Sequence, residues 1–472
     1  MVDWEDHAGH YEGNLLEQLL EFLSIPSFKH AAAPQLPDMP FGKGIHDALT
    51  FYLAVAETLG FQTTCVDGYY GYIEYGEGEL LGIFVHVDVV PAGEGWSHPA
   101  FSPEIRDNKL YARGALDNKG PAMTVLFALK MLKDSGLPIS RRIRIVVSTD
   151  EESGWECMNH YKAREEVPLV GFTPDLLFPL VHAEKGQLNV IFSLRALHTG
   201  KHEEYWLLDF EGGSKINVVP DLASATIRHE STLRRNELQR DFQAFCQQNQ
   251  LQGDVHSESN KLVLKLQGVS AHASEPEKGR NAALFLLVFL RGYSFQHDAE
   301  AFITFMNQYF RDDYSGVRLG IACADAISGQ STVNVGVVRF TSSTMPEIKI
   351  NIRLPVSANI QEIFNTIAAR TEDPLWRIDR HKITASHFVD SNHAIVTSLK
   401  AIYEARHGQV AQAAFSGGAT LARVMKYGVA FGPVFPGREL MAHKADEYIE
   451  LSDLHEWLVL YSQAIYALSK EL

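Results

Sequence analysis

Two apolar runs constrain the fold of this chain more than any other feature: LGIFVHV at 81–87 and IRIVVST at 143–149. Each is nearly continuous rather than alternating, as expected of strands buried on both faces. A helical stretch from about Pro121 to Leu132 lies between them. Strand, helix, strand at these lengths predicts a βαβ unit within an α/β fold, with a mostly parallel central sheet flanked by helices. Ligands of such open sheets sit beyond the carboxyl ends of the strands. Both runs end there in acid and imidazole, as HVD at 86–88 and DEES at 150–153.

A chain of 472 residues with 46% hydrophobic content exceeds what a single core normally serves, so two domains are expected. Leu15, Leu16, Leu19, Leu20 and Leu23 repeat at helical spacing, and Ser24-Ile25-Pro26-Ser27 should end that first helix. Near Lys185-Gly186 the pattern changes. NVIFSLRAL, NKLVLKLQG, TVNVGVVRF and EIKINIRLP read as short alternating strands among charged segments. This predicts an inserted α+β domain over 186–384, with residues 1–185 and 385–472 forming the first and second parts of a catalytic domain. Helical patterns near 392–406, 418–427 and 447–469 return the chain to that domain.

The net charge of −16 favours metal cations and argues against nucleic acid as a partner. Four cysteines, Cys65, Cys157, Cys246 and Cys323, show no CxxC spacing and are too sparse for a disulfide scaffold. The first residues, MVDWEDHAGHYEG, lack the basic and apolar regions of a signal peptide, and no apolar run approaches the ~18 residues of a membrane span. LFLLVFL at 284–290 is read as one buried helical segment. A cytoplasmic protein without membrane contact is the expectation.

Three clusters carry chemistry. His86 closes the first buried strand, where an imidazole nitrogen can bind a metal, and Asp88 is placed to orient the ring through its other nitrogen. Alone, an HxD is more often a buried, hydrogen-bonded histidine. Asp117 in ARGALDNKG can bridge two cations with its two oxygens, or cap the helix that follows. In VSTDEESG three consecutive acids repel one another unless a cation intervenes; Glu152 is the metal-ligand candidate and Glu151 the general base. Burial and neighbouring carboxylates would raise the Glu151 pKa while cations pull it down. Asp175 in GFTPD and His443 in MAHKADE complete the set, though singly they read as a turn aspartate and a surface histidine. Two imidazoles and three carboxylates suit two divalent ions, Zn²⁺ foremost with Mn²⁺ or Co²⁺ as alternatives. Such a pair can hold and acidify a bridging water.

HVDVVPAGEGWSHPAFSPEI, LYARGALDNKGP, STDEESGW and GVSAHASEPEKGRNA together resemble the M20 metallopeptidases, closest to the PepV-type bacterial dipeptidases and the carnosinase-like Xaa-His dipeptidase group. The likeness spans essentially the whole chain. It implies that His86, Asp117, Glu152, Asp175 and His443 hold two ions with Asp117 shared, that Asp88 supports His86, and that Glu151 is the base. It further implies that the inserted domain is a lid. From it His272 in SAHAS would stabilise the charge developing on the scissile carbonyl, Asn217 would add a polar contact, and Arg353 in NIRLP would clamp the substrate carboxylate. Ser416, Gly417 and Gly418 in AFSGGATLAR resemble a glycine-rich loop before a helix whose amides bind that carboxylate. Without the resemblance these four sites read as turn, loop or strand-edge residues. Where many relatives have DMKGG this chain has DNKGP, and Pro121 is compatible with a first helical turn.

The resulting expectation is a dipeptidase in which Glu151 activates a metal-bridging water against short peptides with free termini. An N-acyl amino acid deacylase or a tripeptide aminopeptidase would use the same machinery, and a metal- or solute-binding protein without chemistry is the remote alternative. The expected partner is a small peptide substrate, and the expected state a monomer, with a homodimer left open.

Overall fold

The computed structural model describes residues 3–30, 37–194, 205–373 and 375–470. The chain divides into two units, one formed by Met1–Ala183 with Phe388–Leu472 and the other by Glu184–His387.

The first unit is built on a mixed sheet of β1 (Gln62–Val66), β2 (Tyr70–Tyr75), β3 (Glu79–His86), β4 (Arg141–Ser148), β5 (Val170–Thr173), β6 (Val181–Glu184) and β7 (Tyr427–Ala430), in the order β1-β2-β4-β3-β5-β7-β6. The central four strands β4, β3, β5 and β7 run parallel. The flanking pairs are antiparallel, so parallel pairing is confined to the middle. Turn length explains one edge: β1 and β2 are separated by only three residues, Asp67–Tyr69, which fits a hairpin and no crossover.

Helices α1 (Trp4–Leu23), α2 (Lys43–Thr58), α3 (Lys119–Ser135), α4 (Glu156–Arg164), α5 (Ala394–His407) and α6 (Leu451–Leu468) cover this sheet. Ile83, Val85, Ile145 and Val147 pack in the core with Leu15, Leu19 and Phe22 of α1 and with Leu126 and Trp457 of α3 and α6. Phe84 and Val146, one residue out of phase, pack with Met158 and Tyr161 of α4. Alternate residues of one strand therefore enter separate apolar layers, which is why its sequence is continuously hydrophobic. Asp3 caps α1 by accepting the amides of Glu5 and Asp6, and α1 ends at Leu23 with Ser24 as its cap. Pro121 occupies the first turn of α3.

One expected helix is absent. Over 418–427 the chain makes only a 3-10 turn, Leu421–Val424. β7 begins at Tyr427, and Gly428 passes so close to this turn that a Cβ there would stand 2.0 Å from the Ala422 carbonyl oxygen. The segment must turn back into the sheet before a second helical turn can form. Ser416, Gly417 and Gly418 consequently do not open an α-helix, and the helix expected to follow this loop is missing.

The second unit is an eight-stranded, wholly antiparallel sheet in the order Gln252–Glu258, Lys261–Gln267, Leu222–Arg228, Trp206–Gly212, Thr332–Thr341, Thr344–Leu354, Gly186–Leu194, Trp376–Thr384. Its own apolar core joins Leu262, Leu264 and Leu266 of one strand to Leu238 and Phe242 of helix Thr232–Gln248 and Leu286 of helix Ala282–Leu290. That last helix is the LFLLVFL segment. No helix among the described residues is long and apolar enough to cross a membrane. The last three residues of the expected strand NVIFSLRAL lie outside the described residues.

Candidate metal centre

Parallel pairing places three ligand-bearing segments at one sheet edge. His86 ends β3 and lies opposite Ser148, the last residue of β4, so the acidic turn at 150–152 starts beside it. β5 ends at Thr173, two residues before Asp175. Asp117 comes from the crossover just ahead of α3, and His443 from the loop between β7 and α6.

The five side chains converge in two groups that share one member. Ligand atoms of His86, Asp117 and Asp175 lie within 4.8 Å of one another, and so do those of Asp117, Glu152 and His443. Asp117 Oδ1 stands 3.1 Å from His86 Nε2, while its Oδ2 stands 3.1 Å from His443 Nε2. Its two oxygens thus address different histidines. Glu152 Oε1 is 3.0 Å from His443 Nε2, and Asp175 Oδ1 is 3.8 Å from His86 Nε2. Glu151 belongs to neither group.

The buried His86 Nε2 is turned toward these carboxylates without a well-aligned hydrogen bond to any of them, an arrangement natural for a metal ligand. Electrostatics agree. Burial opposes charge on His86, but Asp117 and Asp175 outweigh it and hold its pKa well above the usual imidazole value. Burial opposes charge on His443 as well, and Asp117 with Glu152 likewise raises it. Protons are thereby drawn to the places where cations would compensate three carboxylates. Glu152 is pushed up to about 7 by burial and by the neighbouring Asp117 charge. This donor set, all nitrogen and oxygen with one shared carboxylate, fits two borderline or hard divalent ions.

Supporting contacts fix the ligands. His86 Nδ1 lies 2.9 Å from the main-chain oxygen of Asp88 and 3.7 Å from its carboxylate. The ring is oriented mainly through the backbone of Asp88, whose carboxylate instead accepts the amides of Glu151 at 3.1 Å and Glu152 at 3.0 Å. Of the three consecutive acids, Asp150 is structural: it accepts the Lys29 ammonium at 3.0 Å and the Glu156 amide at 2.9 Å. Sequence reasoning missed Asn118 and Lys119. Asn118 accepts the His86 amide at 3.4 Å and donates to the Pro174 carbonyl at 2.7 Å, linking the ends of β3 and β5. Lys119, wholly buried, donates to the Phe22 and Ile25 carbonyls at 3.0 and 2.6 Å, and burial pushes its pKa down to about 7. Both stand inside DNKG at the start of α3, and nothing in the sequence marks either as buried.

The remaining candidates lie in other surroundings. In the second unit Val218 and His272 pair as an antiparallel bridge, and the Ala273 amide donates to the Asn217 carbonyl at 2.9 Å, so the Asn217 and His272 segments are neighbours. His272 Nδ1 is 2.7 Å from Ser274 Oγ. Arg353 is buried in a sheet interior between Thr332 and Gln187, not at a solvated edge, and its Nε donates to Asn351 Oδ1 at 2.7 Å. Ser416 ends a short strand in the first unit, with its Oγ accepting the Gly418 amide at 2.9 Å.

Paired ligand clusters joined by one carboxylate at the C-terminal edge of parallel strands define a dinuclear metallohydrolase type of centre. The chain belongs to peptidase family M20/M25/M40, whose model matches residues 82–467. It is 39% identical over 470 residues to "Putative dipeptidase YtjP" of Bacillus subtilis (strain 168), covering 99% of this chain and 100% of that one. Two solved structures share the fold: human carnosine dipeptidase 1 (TM-score 0.56, 13% identity, 99% of each chain) and the di-peptidase Dug1p of Saccharomyces cerevisiae (TM-score 0.58, 12% identity, 99% of this chain and 98% of that one).

Proposed function

We propose that this chain is a dipeptidase of the PepV-type, carnosinase-like group, hydrolysing the peptide bond of short substrates with free termini. The observation that carries the reading is the shared Asp117, each of whose oxygens faces a different histidine while Glu151 stays outside both ligand groups. Full-length likeness to a protein named as a dipeptidase supports it.

Two divalent ions, zinc foremost and manganese or cobalt as alternatives, would be held by His86, Asp117 and Asp175 and by Asp117, Glu152 and His443; bound there they supply Lewis acidity that acidifies water and polarises a carbonyl. Glu151 takes the proton of the attacking water and returns it to the leaving amine. Burial, reinforced by Asp175, Glu152 and Asp88 and opposed by His86, holds its pKa well above the ordinary glutamate value. Asp88 keeps Glu151 and Glu152 in place through their amides. A cleft of about 370 Å³ lined by Lys29, Phe41, Asp88, Val90 and Glu152 offers room beside the ligands for a small substrate. From the second unit, His272 would stabilise charge on the carbonyl oxygen, Asn217 would add a polar contact, and the Arg353 guanidinium would match a terminal carboxylate. Ser416 and Gly417 would assist that carboxylate. A cytoplasmic setting would suit cysteines this sparse and without CxxC spacing.

The test is a hydrolysis screen of metal-reconstituted protein over free dipeptides, tripeptides and N-acetyl amino acids. Dipeptides should give the highest kcat/KM, chelation should abolish turnover, and added Zn²⁺, Mn²⁺ or Co²⁺ should restore it. Preference for N-acetyl amino acids would make the protein a deacylase instead, and preference for tripeptides an aminopeptidase.

A further inference from the structure

We propose that Glu447 is a positioning residue that sets the shared carboxylate of Asp117 and ties it to His443; this rests on the dinuclear reading of the centre. Glu447 follows His443 by four residues in HKADE and is wholly buried. Its Oε2 accepts Arg113 Nη1 at 2.6 Å and the Gly114 amide at 3.0 Å. Its Oε1 accepts the amides of Leu116 at 2.8 Å and Asp117 at 3.0 Å. The Glu447 main-chain oxygen accepts the Ala112 amide at 3.0 Å. Segment 112–117 is therefore wrapped around one side chain from the His443 loop. Gly114 makes the close turn possible: its φ is +88°, and a Cβ there would stand 2.9 Å from Val89 Cγ1.

A buried Arg–Glu pair needs only one of the two carboxylate oxygens. The other is spent on main-chain amides, the second of which belongs to Asp117 itself. That amide is fixed by Glu447 while the side chain of the same residue faces His86 and His443 at 3.1 Å each. One residue thus sets both the direction of the shared carboxylate and the spacing between Asp117 and His443. Ser97 reinforces the loop, its amide donating to Asp446 Oδ1 at 2.8 Å. Groups that orient metal ligands in this way typically govern about 10–100-fold of metal affinity.

Titration of metal-free protein with Mn²⁺ alone tests this, read by calorimetry for number and affinity of ions and by electron paramagnetic resonance for the spin-coupled signal of a pair. Glu447→Asp keeps the charge but is one methylene too short to reach the amides. Arg113→Lys disturbs the ion pair and leaves Glu447 facing them. The expected result is a folded, cooperatively melting E447D whose second Mn²⁺ binds about 10–100-fold more weakly without the coupled signal, beside an R113K that retains both ions. The proposal is overturned if E447D binds two ions with wild-type affinity and coupling, if R113K loses ions as severely, or if metal-free E447D is unfolded, since Glu447 would then serve the fold at large. Wild-type protein binding a single ion would overturn the dinuclear reading itself, and this proposal with it.

Discussion

Glu151 carries opposite demands. A carboxylate used as a base must ionise, yet it is buried among Asp88, Glu152 and Asp175, and its pKa in the folded chain lies well above 4.5, the ordinary value it regains on unfolding. Between those two values the native state binds more protons than the unfolded one, so stability falls as pH rises. Glu151→Gln removes that loss. In metal-free protein E151Q should melt higher than wild type at pH 8, and the gain should vanish at pH 4. In the metal-loaded enzyme the same substitution should cut kcat by about 10²–10⁴-fold with two ions still bound. A metal-free E151Q that melts below wild type at pH 8 would contradict the first expectation, and unchanged turnover the second. Two of the ligand candidates, His86 and Glu152, stand out in the sequence because an imidazole or acid follows directly on an apolar strand, whereas Asp117, Asp175 and His443 gain weight only from the set as a whole. Asn118, Lys119 and the main-chain role of Asp88 are not, because a polar group buried by hydrogen bonds to carbonyls and amides has no periodic signature.

At the scale of elements, the buried strands, the crossover helix α3 and the Leu15–Leu23 face of α1 follow directly from apolar periodicity. The 418–427 segment shows where that reasoning stops. Its pattern is helical, but Tyr427–Ala430 pairs with Val170–Thr173 in the sheet, a tertiary constraint that no local window contains. The packing of α1 on α6 is another long-range feature, and it carries a charge cluster. His455 of α6 pairs through Nδ1 with Glu12 and through Nε2 with Glu5 at 2.6 Å, while Arg406 of α5 bonds Glu456 at 2.6 Å and Glu5. Burial lowers the His455 pKa, but Glu5 and Glu12 overcome it and the net shift is upward. A raised histidine stabilises the fold fully below its unfolded value of 6.5 and loses that contribution as pH rises through the folded value. Pairs this exposed contribute about 0.2–1 kcal/mol each. The Tm deficit of His455→Gln should accordingly be greater at pH 6 than at pH 9.5, and an equal deficit at both would show that packing, not charge, holds α1 to α6.

For the whole molecule, the change from continuously apolar to alternating strands near residue 185 announces a second unit, because a parallel sheet between helix layers and an antiparallel sheet impose different burial patterns. Each unit has its own apolar core among the described residues, with Val85, Leu126 and Trp457 in one and Val190, Leu264 and Phe302 in the other. All five metal-ligand candidates belong to the first. Binding energy acts only on the transition of the unit that holds the ligand, and an ion at 100 times its Kd adds about 2.7 kcal/mol. Scanning calorimetry of the intact chain should resolve two transitions in metal-free protein. Saturating Mn²⁺ or Zn²⁺ should raise one by about 5–10 °C if both sites fill and leave the other within about 1 °C. The unmoved transition belongs to Glu184–His387, and Phe302→Ala in its core should lower that transition alone, at a cost of about 3–5 kcal/mol. One transition that moves as a whole with metal would mean that the two cores melt cooperatively, and that the metal centre stabilises the second unit as well as its own.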